Sequence, residues 1–134
     1  MYKKFHIESR PASLRIVENA IDQATGELKI SQDLYGKILV STIEAVNNAI
    51  IHGNRSDPSK FVDIEILYKE GEIKIIISDQ GNGFIPSEIP DPTIPENIEV
   101  LNGRGVFLMS RLADKIEYNK RGNEVSMTFK NIVT

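Results

Sequence analysis

Three groups of residues have the types and spacing to do chemistry. Glu44, Asn48 and His52 recur every fourth residue. At about 100° per residue they span an arc of roughly 80°, one face of a helix. Their neighbours Ile43, Val46, Ala49 and Ile50 are apolar and should face a core. Glu44 and Asn48 then lie at the edge of a buried helix, where an unpaired carboxylate is expensive. The plainer alternative is a solvated helix edge ending in a histidine favoured by the helix dipole. The second group is Asp79-Gln80-Gly81-Asn82-Gly83, directly after an apolar run. A carboxylate at a strand end accepts hydrogen bonds well. Gly81 and Gly83 let the backbone turn sharply and come close to a flat ligand. The plainer alternative is a turn that ends a strand. The third group is Gly103-Arg104-Gly105 at the start of a helical pattern. Free N–H groups and the helix dipole favour anions there, phosphates above all, and Arg104 adds a charge-assisted contact. A flexible hinge before a capped helix is the competing explanation. The triplet is neither a dinucleotide fingerprint nor a Walker A loop, because no strand immediately precedes it and no Gly-Lys-Ser/Thr follows.

These groups need elements to hold them. A strand is expected over Lys3–Ser9, then a turn and N-cap region at 10–13. Leu14, Val17, Ile21 and Ala24 follow at helical spacing and predict an amphipathic helix ending near Thr25-Gly26. A second helix is predicted from Ser31 or Asp33 as cap to Gly53 as C-cap, through Leu34, Ile38, Leu39, Ile43 and Val46. Residues 54–60 form a polar turn cluster. Val62, Ile64 and Ile66 alternate with Asp63 and Glu65, a strand with one wet face. After a turn at Lys69-Glu70-Gly71, the run Ile73–Ser78 is almost continuously apolar, the pattern of a central strand covered on both sides. Four of the six prolines fall within 84–102, as expected of a lid or binding loop over Ile85 to Asn102. A helix through Val106, Phe107, Met109, Leu112 and Ala113 and a hairpin of 115–119 with 125–129 close the chain. This order predicts one α+β domain over residues 1–134. It is a two-layer sandwich whose mixed, mostly antiparallel sheet is covered by helices on one face.

Composition narrows the functions further. Sixteen Lys and Arg against 19 Asp and Glu give a net charge of −3, which argues against direct nucleic-acid binding. The absence of cysteine excludes disulfides, thiolate zinc sites and a cysteine nucleophile. Two histidines leave no room for a histidine-rich metal site. No apolar run reaches membrane-span length and the first ten residues hold no apolar signal segment, so a soluble, cytoplasmic protein with no membrane role is expected.

Taken together and in this order, the three groups resemble the motifs of the GHKL ATP-binding superfamily. Glu44-Ala45-Val46-Asn47-Asn48-Ala49-Ile50-Ile51-His52-Gly53 resembles its N box. Asp79-Gln80-Gly81-Asn82-Gly83-Phe84 is similar to its G1 box, and Gly103-Arg104-Gly105-Val106-Phe107-Leu108-Met109 to its G2 box. Gly122-Asn123-Glu124-Val125 resembles the final glycine motif. Within the superfamily the chain looks most like the small anti-sigma factor serine/threonine kinases. That resemblance implies the GHKL (Bergerat) form of the α+β sandwich. It also implies phosphorylation of a serine or threonine on a STAS-type anti-anti-sigma partner, capture of a sigma factor or similar regulator, and homodimerisation.

The resemblance assigns roles residue by residue. Asn48 would supply an oxygen to the Mg²⁺ that bridges the phosphates of ATP. Glu44 would orient or deprotonate the acceptor hydroxyl as general base. Asp79 would accept from the adenine amino group, and Gly81 and Gly83 would let the backbone pass beside the base. Gly103, Arg104 and Gly105 would hold the phosphates. His52 and Gly53 would end the helix without touching ATP. Two features depart from the family pattern. Asn123 stands where a threonine near the adenine is usual, and 84–102 carries no basic residue, which leaves Arg104 as the nearest cation for the terminal phosphate. The competing function is a nucleotide-holding module that sequesters a partner without phosphate transfer. Glu44 favours the enzyme, since a pure binding module needs no base there.

Overall fold

The computed structural model describes residues 1–81, 112–119 and 122–130. The first strand, β1, covers Tyr2–Glu8 and leads through a short 3-10 turn at Pro11–Ser13 into helix α1, Leu14–Leu28. Helix α2 covers Gln32–Asn48 and passes without a break into a π-helical turn, Ala49–Gly53. Strands β2 (Phe61–Lys69), β3 (Glu72–Ser78), β4 (Lys115–Tyr118) and β5 (Glu124–Phe129) complete the described elements.

The strands form one sheet in the order β1-β2-β3-β5-β4, and each of the four described pairings is antiparallel. Register follows from alternation. Ile7 faces Val62, Ile64 faces Ile77, Ile66 faces Ile75, and Ile75 in turn faces Met127. All of these lie on the buried side, packed in one core with Val17 and Ile21 of α1 and Ile38, Val46 and Ile50 from α2 and the π turn. A one-residue slip in any strand would carry its isoleucines to the other face, so the core fixes the register. Full burial of each such side chain contributes about 1.5–3 kcal/mol.

Local chemistry explains the element ends. Ser31 caps α2, its hydroxyl oxygen accepting from the Leu34 N–H at 3.2 Å. Three hydroxyls sit buried inside the helices because each donates one turn back: Thr25 to Ile21 O, Ser41 to Lys37 O and Thr42 to Ile38 O, each at 2.7 Å. Helix α1 runs past Gly26, where its end was expected, and stops at Lys29 in the left-handed region (φ 55°). Leu28 and Ile30 reach the core there, and this packing outweighs the helix-breaking preference of Gly26. The β2–β3 hairpin turns through Glu70 (φ 53°) and Gly71 (φ 81°), both in the left-handed region that a two-residue hairpin turn demands.

Strand β3 departs from its expected coverage. It is central, but only Ile73, Ile75 and Ile77 are buried. Lys74, Ile76 and Ser78 point to the other side, beside Leu67, Glu65 and Asp63 of β2, and are half-buried. Helices cover one face of this sheet among the described residues. The isolated Ile76 in a polar row made the strand read as doubly covered.

Candidate functional site

The site is built where the end of the α2–π segment meets the end of β3. Glu44 and Asn48 lie on α2 one turn apart, about 6 Å along the axis, and both are half-buried. Asn48 is the last α-helical residue. The π turn that follows is the kind of local widening often found at functional sites. Here it delivers Gly53 directly against Asp79. A Cβ on Gly53 would sit 2.3 Å from both Cγ and Oδ2 of Asp79. Gly81 closes the same cradle, since a Cβ there would lie 2.0 Å from the Gly53 carbonyl oxygen. Two glycines are therefore required by close approach, and neither is among the positive-φ residues. Gly53 is thus more than the helix stop it was expected to be. It is the surface on which the Asp79 carboxylate rests. The π turn hands over to Asn54 (φ −91°, ψ 0°), followed by Arg55 and Ser56, both left-handed, which turn the chain toward β2.

Asp79 is held from several sides. Its N–H donates to the Asn123 carbonyl at 2.8 Å, and its own carbonyl receives a long 3.4 Å contact from Asn123 Nδ2. Its carboxylate Oδ1 accepts from the Gly81 N–H at 2.8 Å. Burial pushes the carboxyl above the ordinary carboxylate value, while the Gly81 N–H and the charge of Lys60 pull against that rise. Asn123 lies at the β4–β5 turn, its Oδ1 accepting from Asn119 Nδ2 at 2.7 Å. The structure thus brings Asn123 beside Asp79, where it braces the Asp79 backbone. Gly83, Gly103, Arg104 and Gly105 lie outside the described residues, as does the proline-rich stretch 84–102.

The donor set fits the group it was expected to hold. A half-buried carboxylate with its second oxygen facing a glycine-lined cradle suits the amino edge of a flat base. The Asn48 amide, a neutral oxygen donor on that helix face, would suit a magnesium ion that arrives with phosphates and needs few protein ligands. Among the described residues no three His, Cys, Asp or Glu side chains gather as a self-sufficient metal cage.

With this geometry in hand, comparison with known proteins decides the family. The model of the histidine kinase-like ATPase domain matches residues 7–129. The chain belongs to that family. The α2–π segment and the Asp79 loop both lie within the matched residues. Among curated relatives, the serine-protein kinase RsbW of Oceanobacillus iheyensis is 25% identical over 98% of this chain and 87% of its own length. The Staphylococcus aureus protein of the same name is 37% identical over 69% of this chain and 62% of its own. An anti-sigma F factor of Bacillus cytotoxicus is 36% identical over 55% of this chain, which spans about half (52%) of that relative. A solved structure containing the RsbU and RsbW domains of a Mycobacterium tuberculosis protein superposes over 96% of this chain and 32% of its own. Its TM-score is 0.63 at 17% identity, a likeness of fold.

The raised Asp79 carboxyl makes a prediction for this histidine kinase-like ATPase domain. An unfolded aspartate titrates near 3.8 and the folded one above it. The native chain therefore holds this proton more tightly than the unfolded chain. Its contribution to stability is complete below 3.8 and is lost as pH rises through the folded value. At neutral pH the ionised group therefore costs stability. Asp79→Asn is expected to melt no lower than wild type at pH 7, yet to bind adenine nucleotides more weakly and to discriminate less against guanine. Thermal melts and calorimetry check this. A mutant that binds ATP as tightly and selectively as wild type would reduce Asp79 to a turn residue.

Proposed function

We propose that this chain is an ATP-dependent serine/threonine kinase and anti-sigma-type regulator. It phosphorylates a STAS-type anti-anti-sigma partner and captures a sigma factor or comparable regulator. The observation that carries the reading is Glu44, one helical turn before Asn48, on a helix whose end is pressed against Asp79. The names of the relatives, serine-protein kinase and anti-sigma F factor, support the same reading.

Asp79 accepts from the adenine amino group, with Gly81 and Gly83 beside the base and Asn123 bracing the acceptor. Gly103, Arg104 and Gly105 hold the phosphates. Asn48 would hold the magnesium ion, which would supply charge neutralisation to those phosphates. Glu44 accepts the proton of the partner's serine or threonine hydroxyl as its oxygen attacks the terminal phosphorus, the bond from that phosphorus to the bridging oxygen breaks, and ADP leaves. The protein works as a homodimer in the cytoplasm. Among the described residues no helix is long and apolar enough to cross a membrane.

Incubation with γ-labelled ATP, Mg²⁺ and the STAS proteins of the same genome tests the reading. Label on a serine or threonine of one of them is expected, with tighter ATP binding when the metal is present. Binding without labelling of any candidate would favour a nucleotide-holding sequestering module. No affinity for ATP or ADP at millimolar concentration would overturn both.

A further inference from the structure

Asn54 lies just after the last expected motif residue, at the head of what reads as a polar turn, yet its exposure is 0%. Its side chain joins three parts of the chain. Nδ2 donates to Ser9 Oγ at 2.8 Å and to the Phe61 carbonyl at 3.0 Å. Oδ1 accepts the Gln80 N–H at 2.7 Å. Gln80 answers through its own side chain, whose Oε1 accepts the Phe61 N–H. The result is a closed ring: Asn54 to Gln80, Gln80 to Phe61, Phe61 back to Asn54. Gln80 is the residue between Asp79 and Gly81. Grasped by backbone and side chain, it has little freedom to rotate, and the carboxylate one residue earlier inherits that restraint. The main chain adds a tie to the helix end, since Asn54 N–H donates to Ala49 O at 2.8 Å.

We infer that Asn54 is the positioning residue for base recognition: through Gln80 it fixes the direction of the Asp79 carboxylate and so sets the preference for adenine over guanine. This rests on the nucleotide reading above. Asn54 does not touch the base. It acts through the main chain at residue 80. An amide is suited to the task because it offers an acceptor to Gln80 and two donors to Ser9 and Phe61 from one buried group. The Ser9 branch ties the end of β1 to the same point and to the Lys60 carbonyl, and it makes no hydrogen bond to Asp79 or Gln80. That separates a specificity role from a merely structural one.

The experiment compares ATP and GTP affinities, by calorimetry with Mg²⁺, in wild type, Ser9→Ala, Asn54→Ala and Gln80→Ala. Ser9→Ala breaks the structural branch and should lower the melting temperature while leaving the ATP-to-GTP ratio as in wild type. Asn54→Ala removes the acceptor for Gln80 and should lower that ratio about tenfold, the worth of one buried hydrogen bond. Gln80→Ala removes one of the two holds from an exposed side chain, so folding is secure. Its ratio should fall by roughly two- to fivefold. If Asn54→Ala does not fold, Gln80→Ala decides alone. An unchanged ratio in the folded variants overturns the inference while wild-type preference for ATP leaves the nucleotide reading standing. A wild type with no ATP affinity overturns that reading, and this inference with it.

Discussion

Gly53→Ala is expected to leave the fold standing and to weaken ATP binding about 10- to 100-fold, the worth of a hydrogen bond to a charged group. The new methyl would overlap the Asp79 carboxylate, with 2.3 Å to Cγ and 2.7 Å to Oδ1. The three nearest heavy atoms all belong to the Asp79 carboxylate, a short side chain able to rotate about its Cα–Cβ bond. The carboxylate is then expected to swing out of the cradle, and adenine to lose its proposed acceptor. Gly81→Ala differs in kind. Its methyl would meet main chain, the carbonyl oxygen of Gly53 at 2.0 Å and its carbon at 2.7 Å. Neither can yield without shifting the π turn or the loop after β3, so both stability and binding should fall. Melting curves and calorimetry on the two variants separate the effects. Should Gly53→Ala bind ATP as wild type does, contact with residue 53 is not what holds the acceptor in place.

The contrast between these glycines shows what was legible in the sequence. Local spacing carries periodic information, so α2 and the shared face of Glu44 and Asn48 could be read directly, while of the two candidate caps, Ser31 and Asp33, the structure uses Ser31. The alternation of β2 was equally plain. Contacts between distant segments leave no local trace. Gly53 at a helix end reads as a stop, because nothing nearby announces Asp79, 26 residues on. Asn54 reads as a turn residue because its partners Ser9 and Gln80 lie 45 and 26 residues away. The π turn was invisible for a related reason: widening by one residue costs little locally and is selected by what it brings together. Arg55 and Ser56 stand in left-handed conformations where glycine would have signalled a turn. A polar residue beside a motif was the one available hint of the Asn54 ring, and burial alone turns that hint into an argument.

The division of labour between Glu44 and Asn48 gives the largest expected effect. Glu44→Gln keeps the shape of the side chain and removes the proton acceptor. Phosphorylation of the STAS partner should fall on the order of 10²- to 10⁴-fold, the usual worth of a general base. Nucleotide affinity should survive, because the Gly53–Asp79–Gly81 cradle proposed to receive the base is untouched by a change at Glu44. Asn48→Ala removes the amide that would hold the metal. It should impair Mg²⁺-ATP binding and transfer together, since phosphates without their ion are neither neutralised nor aligned. Metal-free ADP, which leans on the base more than on the ion, should bind Asn48→Ala nearly as it binds wild type. The two variants therefore separate along different axes: one loses rate at constant affinity, the other loses affinity only where magnesium contributes. Both positions are half-buried at the edge of α2, and each substitution suits a helix, so loss of the fold does not confuse the result. Transfer by Glu44→Gln at the wild-type rate would remove Glu44 from the chemistry. The proton would then have to leave the hydroxyl by another route, and the carboxylate one turn before Asn48 would be a solvated helix edge.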